Sequence, residues 1–298
     1  MDNMIYIKID NDTFYDDAIV LVRSFYPRME VKAYKQDTVA TEADKVIDIT
    51  VPNKSEMHDK FKSYLYDRLS QMTGKTLPWG YLTGVRPSKI AYVMLEDGED
   101  EQTIKKHFMD KHKASEKKAS LAINVAKKEM DILNKIDYKN GYSLYIGIPF
   151  CPSICLYCSF SSYALDAYKN YVDDYLDALI KEMTFVARAM KGRRLDTVYF
   201  GGGTPTTLGA AQLDRLITAL KELFDIDGCH EFTVEAGRPD SITRDKLKVL
   251  KAHNVGRISI NPQTMNQQTL DLIGRKHTVE QIKNVYSMAR EEGFNNIN

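Results

Sequence analysis

The sequence predicts an α/β protein in two parts. A parallel-stranded unit covers residues 141–298, and a smaller mixed α/β or α+β N-terminal domain covers residues 1–140. Three observations carry that reading. From Gly141 onward, short β-branched and apolar runs alternate with helical patterns, the arrangement that gives parallel strands joined by right-handed crossovers. The helical stretch Ala167–Met190 carries one apolar stripe of Val172, Tyr175, Leu176, Leu179, Met183, Val186 and Met190, as a helix lying on a sheet requires. Cys151, Cys155 and Cys158 follow the first predicted strand of this unit directly. In such folds ligands bind at the carboxyl ends of the strands, so that loop is where a site belongs.

The N-terminal elements follow from local pattern. Met4–Ile9 alternates as a strand, and Phe14–Tyr26 has helical spacing that stops at Pro27. Glu30–Tyr34 and Lys45–Val51 are strands by their β-branched content. A helix from Ser55 to about Met72 shows the stripe Met57, Phe61, Tyr64, Leu65 and Leu69, with Gly74 just past its end. Three more helices are predicted, over Pro87–Glu96, Glu101–Lys111 and Ser115–Ile136. No catalytic constellation stands among these residues. Arg86 and Lys89 read as surface residues, and the basic runs Lys105–Lys113 and Lys117–Lys118 as solvated helix faces.

In the second part, strands are predicted over Ser143–Ile148, Thr197–Phe200, Glu231–Glu235, Arg257–Ile260 and Asn295–Asn298. Helices fill the intervals at Ala167–Met190, Ala211–Phe224, Arg244–His253, Gln267–Ile273 and Val279–Glu292. The composition is that of an ordinary globular chain, with 43% hydrophobic and 28% charged residues. Its 41 basic residues balance 41 acidic ones, so net charge gives no general attraction to nucleic acid or to a membrane surface. No apolar run approaches the ~20 residues that span a bilayer. With no signal peptide in the sequence, the expected location is the cytoplasm, where disulfides are not expected.

The cysteine spacing is C-x3-C-x2-C. Three thiolates on one loop can each hold one iron of a cubane 4Fe–4S cluster and leave the fourth iron open to a ligand, whereas electron-transfer clusters use four cysteines. A zinc site would use the same thiolates with one more ligand, for which Cys229, His230 and His112 are the candidates. Unliganded core thiols are a third reading. Two other loops stand where a site belongs. Phe200-Gly-Gly-Gly-Thr-Pro-Thr206 follows the second strand, and its glycines let backbone approach a ligand closely. Glu235 ends the third strand on the face opposite Phe232 and Val234, where a carboxylate can accept hydrogen bonds from ribose hydroxyls or pair with an ammonium. Cys229, at a strand entrance, reads as a core thiol.

The segment Gly147-Ile-Pro-Phe-Cys-Pro-Ser-Ile-Cys-Leu-Tyr-Cys-Ser-Phe160, with Tyr145 before it, resembles the cluster loop of radical S-adenosyl-L-methionine (SAM) enzymes. It is most similar to that of the oxygen-independent coproporphyrinogen III oxidase family, and the resemblance covers about residues 141–298. The segment Trp79-Gly-Tyr-Leu-Thr-Gly-Val-Arg-Pro-Ser-Lys89 is similar to one that HemZ-type coproporphyrinogen dehydrogenases carry ahead of the radical SAM domain.

The resemblance implies a partial parallel (β/α) barrel of radical SAM type, with Cys151, Cys155 and Cys158 holding a 4Fe–4S cluster. SAM contacts carry over onto Gly202, Gly203 and Thr204 of the glycine loop, onto Glu235, and onto Gln263 and Arg275. A planar guanidinium fork suits the SAM carboxylate. His277 stands within reach of the same site. Tyr157 and Tyr145 resemble family residues beside the cluster and adenine, with Tyr145 assigned to the catalytic group. The implied activity is oxygen-independent oxidative decarboxylation of coproporphyrinogen III to protoporphyrinogen IX through a 5′-deoxyadenosyl radical. The implied electron donor is reduced flavodoxin or ferredoxin.

Two departures shape the expectation. Ser159 and Phe160 stand where many of these oxidases have glycine and a fourth cysteine, a variant shared with haem chaperones and haem-utilisation proteins. A haem chaperone that keeps the cluster is therefore the second reading, and a zinc-stabilised, non-catalytic interaction protein the third. The family's barrel has six strands and an acidic SAM contact beyond the fifth. The resemblance thus implies a barrel truncated after about five strands, and a fragment that turns over poorly.

Overall fold

β1 (Met4–Ile9) is the middle strand of a three-stranded parallel sheet, and its Ile5, Ile7 and Ile9 are buried. The computed structural model describes residues 4–34, 45–50 and 58–298. After β1 the chain forms α1 (Tyr15–Phe25), β2 (Glu30–Tyr34), β3 (Lys45–Ile49) and α2 (His58–Thr73), and the sheet order is β2-β1-β3. Leu21, Val22 and Phe25 of α1 and Phe61, Leu65 and Leu69 of α2 join the isoleucines of β1 in one core. Burial of these side chains at about 1.5–3 kcal/mol each holds the layers together. Val51 of the predicted third strand and residues 55–57 of the predicted helix lie outside the described residues.

Three helices follow: α3 (Pro87–Glu96), α4 (Glu101–Asp110) and α5 (Glu116–Leu133). Proline opens α3 where its missing N–H is not needed. Asp100 caps α4 by accepting from Thr103 N at 2.7 Å. The small side chains Ala91, Ala119, Ala122 and Ala126 share a core with Ile104, Phe108 and Ile123. The chain divides into two units, Met1–Leu133 and Asn134–Asn298. The division falls ahead of Gly141 because the turn before it is tied to the second unit: Arg193 donates to the Asn140 and Gly141 carbonyls.

The second unit runs β4 (Tyr142–Ile148), β5 (Phe150–Cys151), β6 (Tyr163–Ala164), α6 (Leu165–Tyr168), α7 (Val172–Ala189), β7 (Leu195–Gly202) and α8 (Ala210–Leu223). It continues with β8 (Glu231–Glu235), α9 (Arg244–Ala252), β9 (Arg257–Ser259), α10 (Gln267–Leu272) and α11 (Val279–Glu291). The main sheet is parallel throughout in the order β4-β7-β8-β9, so each strand lies beside the next one in the chain, as in a (β/α) barrel. Residues 296–298 add to its edge: Ile260 N donates to Asn298 O at 2.8 Å, and Ile258 pairs with Ile297 in parallel.

Ile146 and Ile148, Val198 and Phe200, Phe232 and Val234, and Ile258 face the covering helices, packed with Leu176, Leu213, Ile217, Leu247 and Ala289. Two local differences from the sequence reading have clear causes. The predicted helix from Ala167 is broken by a 3-10 turn at Lys169–Tyr171, because Tyr168 packs on Tyr163 of β6 and the apolar stripe begins only at Val172. β7 extends into the glycine run because Gly147 pairs with Gly201 and Ile148 with Gly202.

Candidate cofactor site at the carboxyl ends of the strands

Side chains alternate along a strand, so the face of the main sheet away from the helices carries Tyr145, Tyr199, Thr233, Glu235 and Ser259. Tyr145 and Tyr199 are register partners and stack with centroids 5.8 Å apart and planes 13° from parallel. Gly147 and Gly201 pair one step nearer the carboxyl ends, and glycine is needed at 201 to seat those rings. A Cβ there would stand 2.7 Å from the Tyr145 hydroxyl and 2.8 Å from a Tyr199 ring carbon. Tyr199 donates to Glu235 Oε1 at 2.5 Å. Burial, reinforced by that carboxylate, raises the Tyr199 phenol well above its ordinary value, so it stays a donor.

The glycine loop folds against the last residue of β4 and the first residue of β5. Gly203 N donates to Ile148 O at 2.7 Å and Thr204 N to Phe150 O at 2.8 Å. Gly202 has φ near 105°, a region L side chains rarely adopt. The Thr204 hydroxyl lies 3.4 Å from Cys151 Sγ. Burial pushes the Cys151 thiol up, while Thr204 and the Arg238 guanidinium pull it partly back. The loop after β8 is tied to the glycine loop by a 2.6 Å bond between the Thr206 and Ser241 hydroxyls. Lys246 Nζ donates to both carbonyls of that pair, at 2.7 and 2.8 Å.

The cysteine loop is held by its neighbours. β5 and β6 pair across its ends, and Tyr163 N donates to Pro149 O at 2.8 Å. Leu156 N donates to Ile273 O at 3.0 Å, and Arg275 donates to the Tyr157 hydroxyl at 3.1 and 3.3 Å and to Gly237 O at 3.3 Å. Arg238, only 3% exposed, donates to Ser153 O and Oγ at 3.0 Å each and to Cys155 Sγ at 3.4 Å. Asp240 braces it through two bonds of 2.9 and 2.7 Å. Burial alone would raise the Asp240 carboxyl, but Arg238 more than offsets that and holds it below its ordinary value.

One cavity of about 330 Å³ collects these groups. Its lining includes Cys151, Cys155, Cys158, Tyr157, Gly202, Gly203, Thr204, Glu235, Gln263 and Arg275. Gln263 reaches it from a left-handed backbone conformation, φ near 64°. Tyr145 does not line it: it is 62% exposed on the sheet face, stacks on Tyr199, and has its phenol raised by burial and by the Glu235 carboxylate. His277 is fully buried, with Nδ1 4.0 Å from Asp240 Oδ1. Arg238, Asn261 and Tyr199 are the site residues that sequence reasoning missed. The position of Arg238 just past the end of β8, with Asp240 two residues on, was the available signal.

The three thiols fit a multi-iron cluster by their donor chemistry and by the glycine cradle beside them. A Cβ on Gly203 would stand 3.0 Å from Cys151 Sγ. Among the described residues no three cysteine, histidine or acidic side chains gather around a single ion, but a cubane takes one thiolate per iron and does not need them at one point. Cys229 stands apart from this loop. Its Sγ donates to Leu195 O, at the opposite end of β7 from Gly202, and burial pushes its thiol up to about 11. His230 precedes β8 at that same far end. His112 is buried in the N-terminal unit against Tyr81 and His107. No helix among the described residues is long and apolar enough to cross a membrane.

Residues 145–298 match the radical SAM superfamily. The oxygen-independent coproporphyrinogen-III oxidase-like protein HemZ of Bacillus subtilis is 39% identical over 241 residues, 79% of this chain and 48% of that protein. The heme chaperone HemW of Lactococcus lactis is 40% identical over 155 residues, 52% of this chain and 39% of that protein. Among solved structures, the coproporphyrinogen III oxidase HemN of Escherichia coli aligns with a TM-score of 0.48 at 34% identity, over 53% of this chain and 36% of that one. The chain thus spans about half, or less, of the length of the relatives it matches.

Proposed function

The chain belongs to the radical SAM superfamily, and from that premise we propose that it is a radical SAM oxidoreductase of porphyrin biosynthesis. In this reading Cys151, Cys155 and Cys158 hold a 4Fe–4S cluster and SAM occupies the adjoining cavity. The substrate is coproporphyrinogen III, decarboxylated oxidatively without oxygen, and the electron donor is a reduced flavodoxin or ferredoxin. The observation that supports the reading best is the convergence of three thiols, the glycine loop, Glu235, Gln263 and Arg275 on one cavity. The porphyrinogen substrate rests on the similarity to the HemZ protein, which extends beyond the radical SAM region into the N-terminal unit.

When bound, the cluster and SAM supply reductive carbon–sulfur cleavage, the source of the hydrogen-abstracting power that decarboxylation of a propionate requires. The chain's own residues bind and orient. Each cysteine must lose a proton to become a ligand, and burial opposes that loss at Cys151, so loading is proton-coupled. Gly202 and Gly203 bring backbone to the cavity wall without side chains in the way. Glu235, fixed by Tyr199, presents a carboxylate to ligand hydroxyls. Arg275 presents a fork to a carboxylate, exchanging its present bonds to Tyr157.

The Ser159-Phe160 pair and the similarity to HemW favour one second reading, a haem chaperone that keeps the cluster. Anaerobic reconstitution followed by assay of SAM cleavage, with and without coproporphyrinogen III, separates the two. Substrate-stimulated cleavage with vinyl product supports the oxidase. Stoichiometric haem binding without product supports the chaperone. Zinc in place of iron and sulfide would sink both and leave a zinc-stabilised interaction protein.

A further inference from the structure

Arg238 is not among the residues the reading above uses, yet it is the most committed cation in the second unit. It is 3% exposed, and its nitrogens are spent on Ser153, Cys155 and Asp240. A buried ion pair contributes little stability by itself, because desolvating both charges offsets their attraction. What it does offer is direction. The fork reaches two residues of the cysteine loop that are adjacent on one side of it, Ser153 and Cys155, and the carboxylate behind it fixes the plane of the fork. His277 is buried with Nδ1 4.0 Å from Asp240 Oδ1, the oxygen that also accepts from Arg238 Nε.

We infer that Arg238, braced by Asp240, is a positioning residue that clamps the cysteine loop and sets the reduction potential of the cluster held there. The inference rests on the cluster assignment above for its second half only. Hydrogen bonds and net charge at the sulfur ligands tune a cluster's potential. A cation on Cys155 Sγ favours the electron-richer, reduced state and raises the potential, and the Asp240 anion behind it restrains that rise. The two partners therefore act with opposite sign on the potential, although they act together on the fold.

The test has two arms. In the cluster-free chain, chymotrypsin is offered Leu156, Tyr157 and Phe160, all exposed on the loop. Arg238→Gln is expected to speed cleavage there by about tenfold or more, the factor that follows from losing one charge-assisted hydrogen bond. Arg238→Lys, which keeps charge without the fork, falls between and serves if the glutamine variant does not fold. In the anaerobically reconstituted chain, redox titration followed by electron paramagnetic resonance reads the potential. Arg238→Gln shifts it negative and Asp240→Asn shifts it positive. Shifts of the same sign, or none, overturn the tuning role, and unchanged proteolysis overturns the clamp. If the unmodified chain takes up no iron, it is the cluster assignment that fails, and the proteolysis arm still decides the clamp.

Discussion

Replacing Gly203 by alanine probes the fit between the glycine loop and the cysteine loop. A Cβ at that position would lie 2.8 Å from Phe150 O, 3.0 Å from Cys151 Sγ and 3.0 Å from the Pro149 carbonyl carbon. Ordinary contacts to a methyl carbon are about 3.5–4 Å, so each neighbour must retreat by half an ångström or more. Two of them are backbone, pinned by the bonds from Gly203 N to Ile148 O and from Thr204 N to Phe150 O, and cannot swing aside as a side chain would. Overpacking of this kind costs about 1–3 kcal/mol. For a unit of this size that is a fall in melting temperature of roughly 3–10 °C, read by calorimetry on the cluster-free protein. The neighbour that yields is Cys151, so iron uptake on reconstitution is expected to fall below half the wild-type level. Gly228→Ala is the control, because a Cβ there meets nothing within 4 Å. Wild-type melting and iron content in Gly203→Ala would refute the tight cradle. An equal loss in Gly228→Ala would show that the effect is not local.

Cys151→Ala, Cys155→Ala and Cys158→Ala are each expected to abolish assembly of about four irons and four sulfides, measured by metal and sulfide analysis, while Cys229→Ala retains it; loss in the Cys229 variant would replace the open-iron reading. Tyr199→Phe removes the bond to Glu235 and is expected to weaken SAM binding by about tenfold or more in equilibrium dialysis, the effect of one hydrogen bond to a charged group; unchanged affinity would detach Glu235 from the ligand. Burial, with His107 and Lys111 nearby, pushes His112 down from 6.5 to about 4. The unfolded chain takes up this proton first as pH falls, so the stability of the N-terminal unit is full above 6.5 and declines by roughly 3 kcal/mol towards pH 4, a loss that His112→Phe removes. Urea titrations showing no such decline in the wild-type chain would contradict the burial argument.

The main sheet was readable because its strands are short apolar runs, separated by helices with clean stripes, and each bound fell within a few residues of the pattern. The stripe from Val172 to Val186 marks α7 because nothing but period and apolarity decides which face meets the sheet. β5 and β6 were not readable. They are two residues each, formed only because the cysteine loop doubles back so that Phe150 pairs with Tyr163, and no local propensity encodes that. The same limit applies to the site. Gly202, Glu235 and Gln263, which line the cavity, could be singled out because they stand at or past strand ends in segments that resemble the family's. Arg238 could not, because an arginine in a sequence reads as a surface residue until a neighbouring loop folds over it.

Two residues with unmatched polar groups in the second unit, Ser259 and His277, lie towards the carboxyl ends of the strands, while Arg257 Nε, at the entrance of β9, lies at the other end. Buried polar atoms normally find partners, and each exception calls for an explanation. Here they include Ser259 Oγ and both ring nitrogens of His277. Ser259 pairs in register with Glu235, on the face that carries the stacked tyrosines. His277 stands behind Asp240, which braces the arginine on the cysteine loop. The helix-covered face of the sheet is filled instead by apolar side chains. A fold that pays desolvation on one face of a sheet, and closes the other with hydrocarbon, has divided its work between them. In the proposed function the polar face is the one that meets the ligand, and Gly201 seats the stacked rings of Tyr145 and Tyr199 beside Glu235 there.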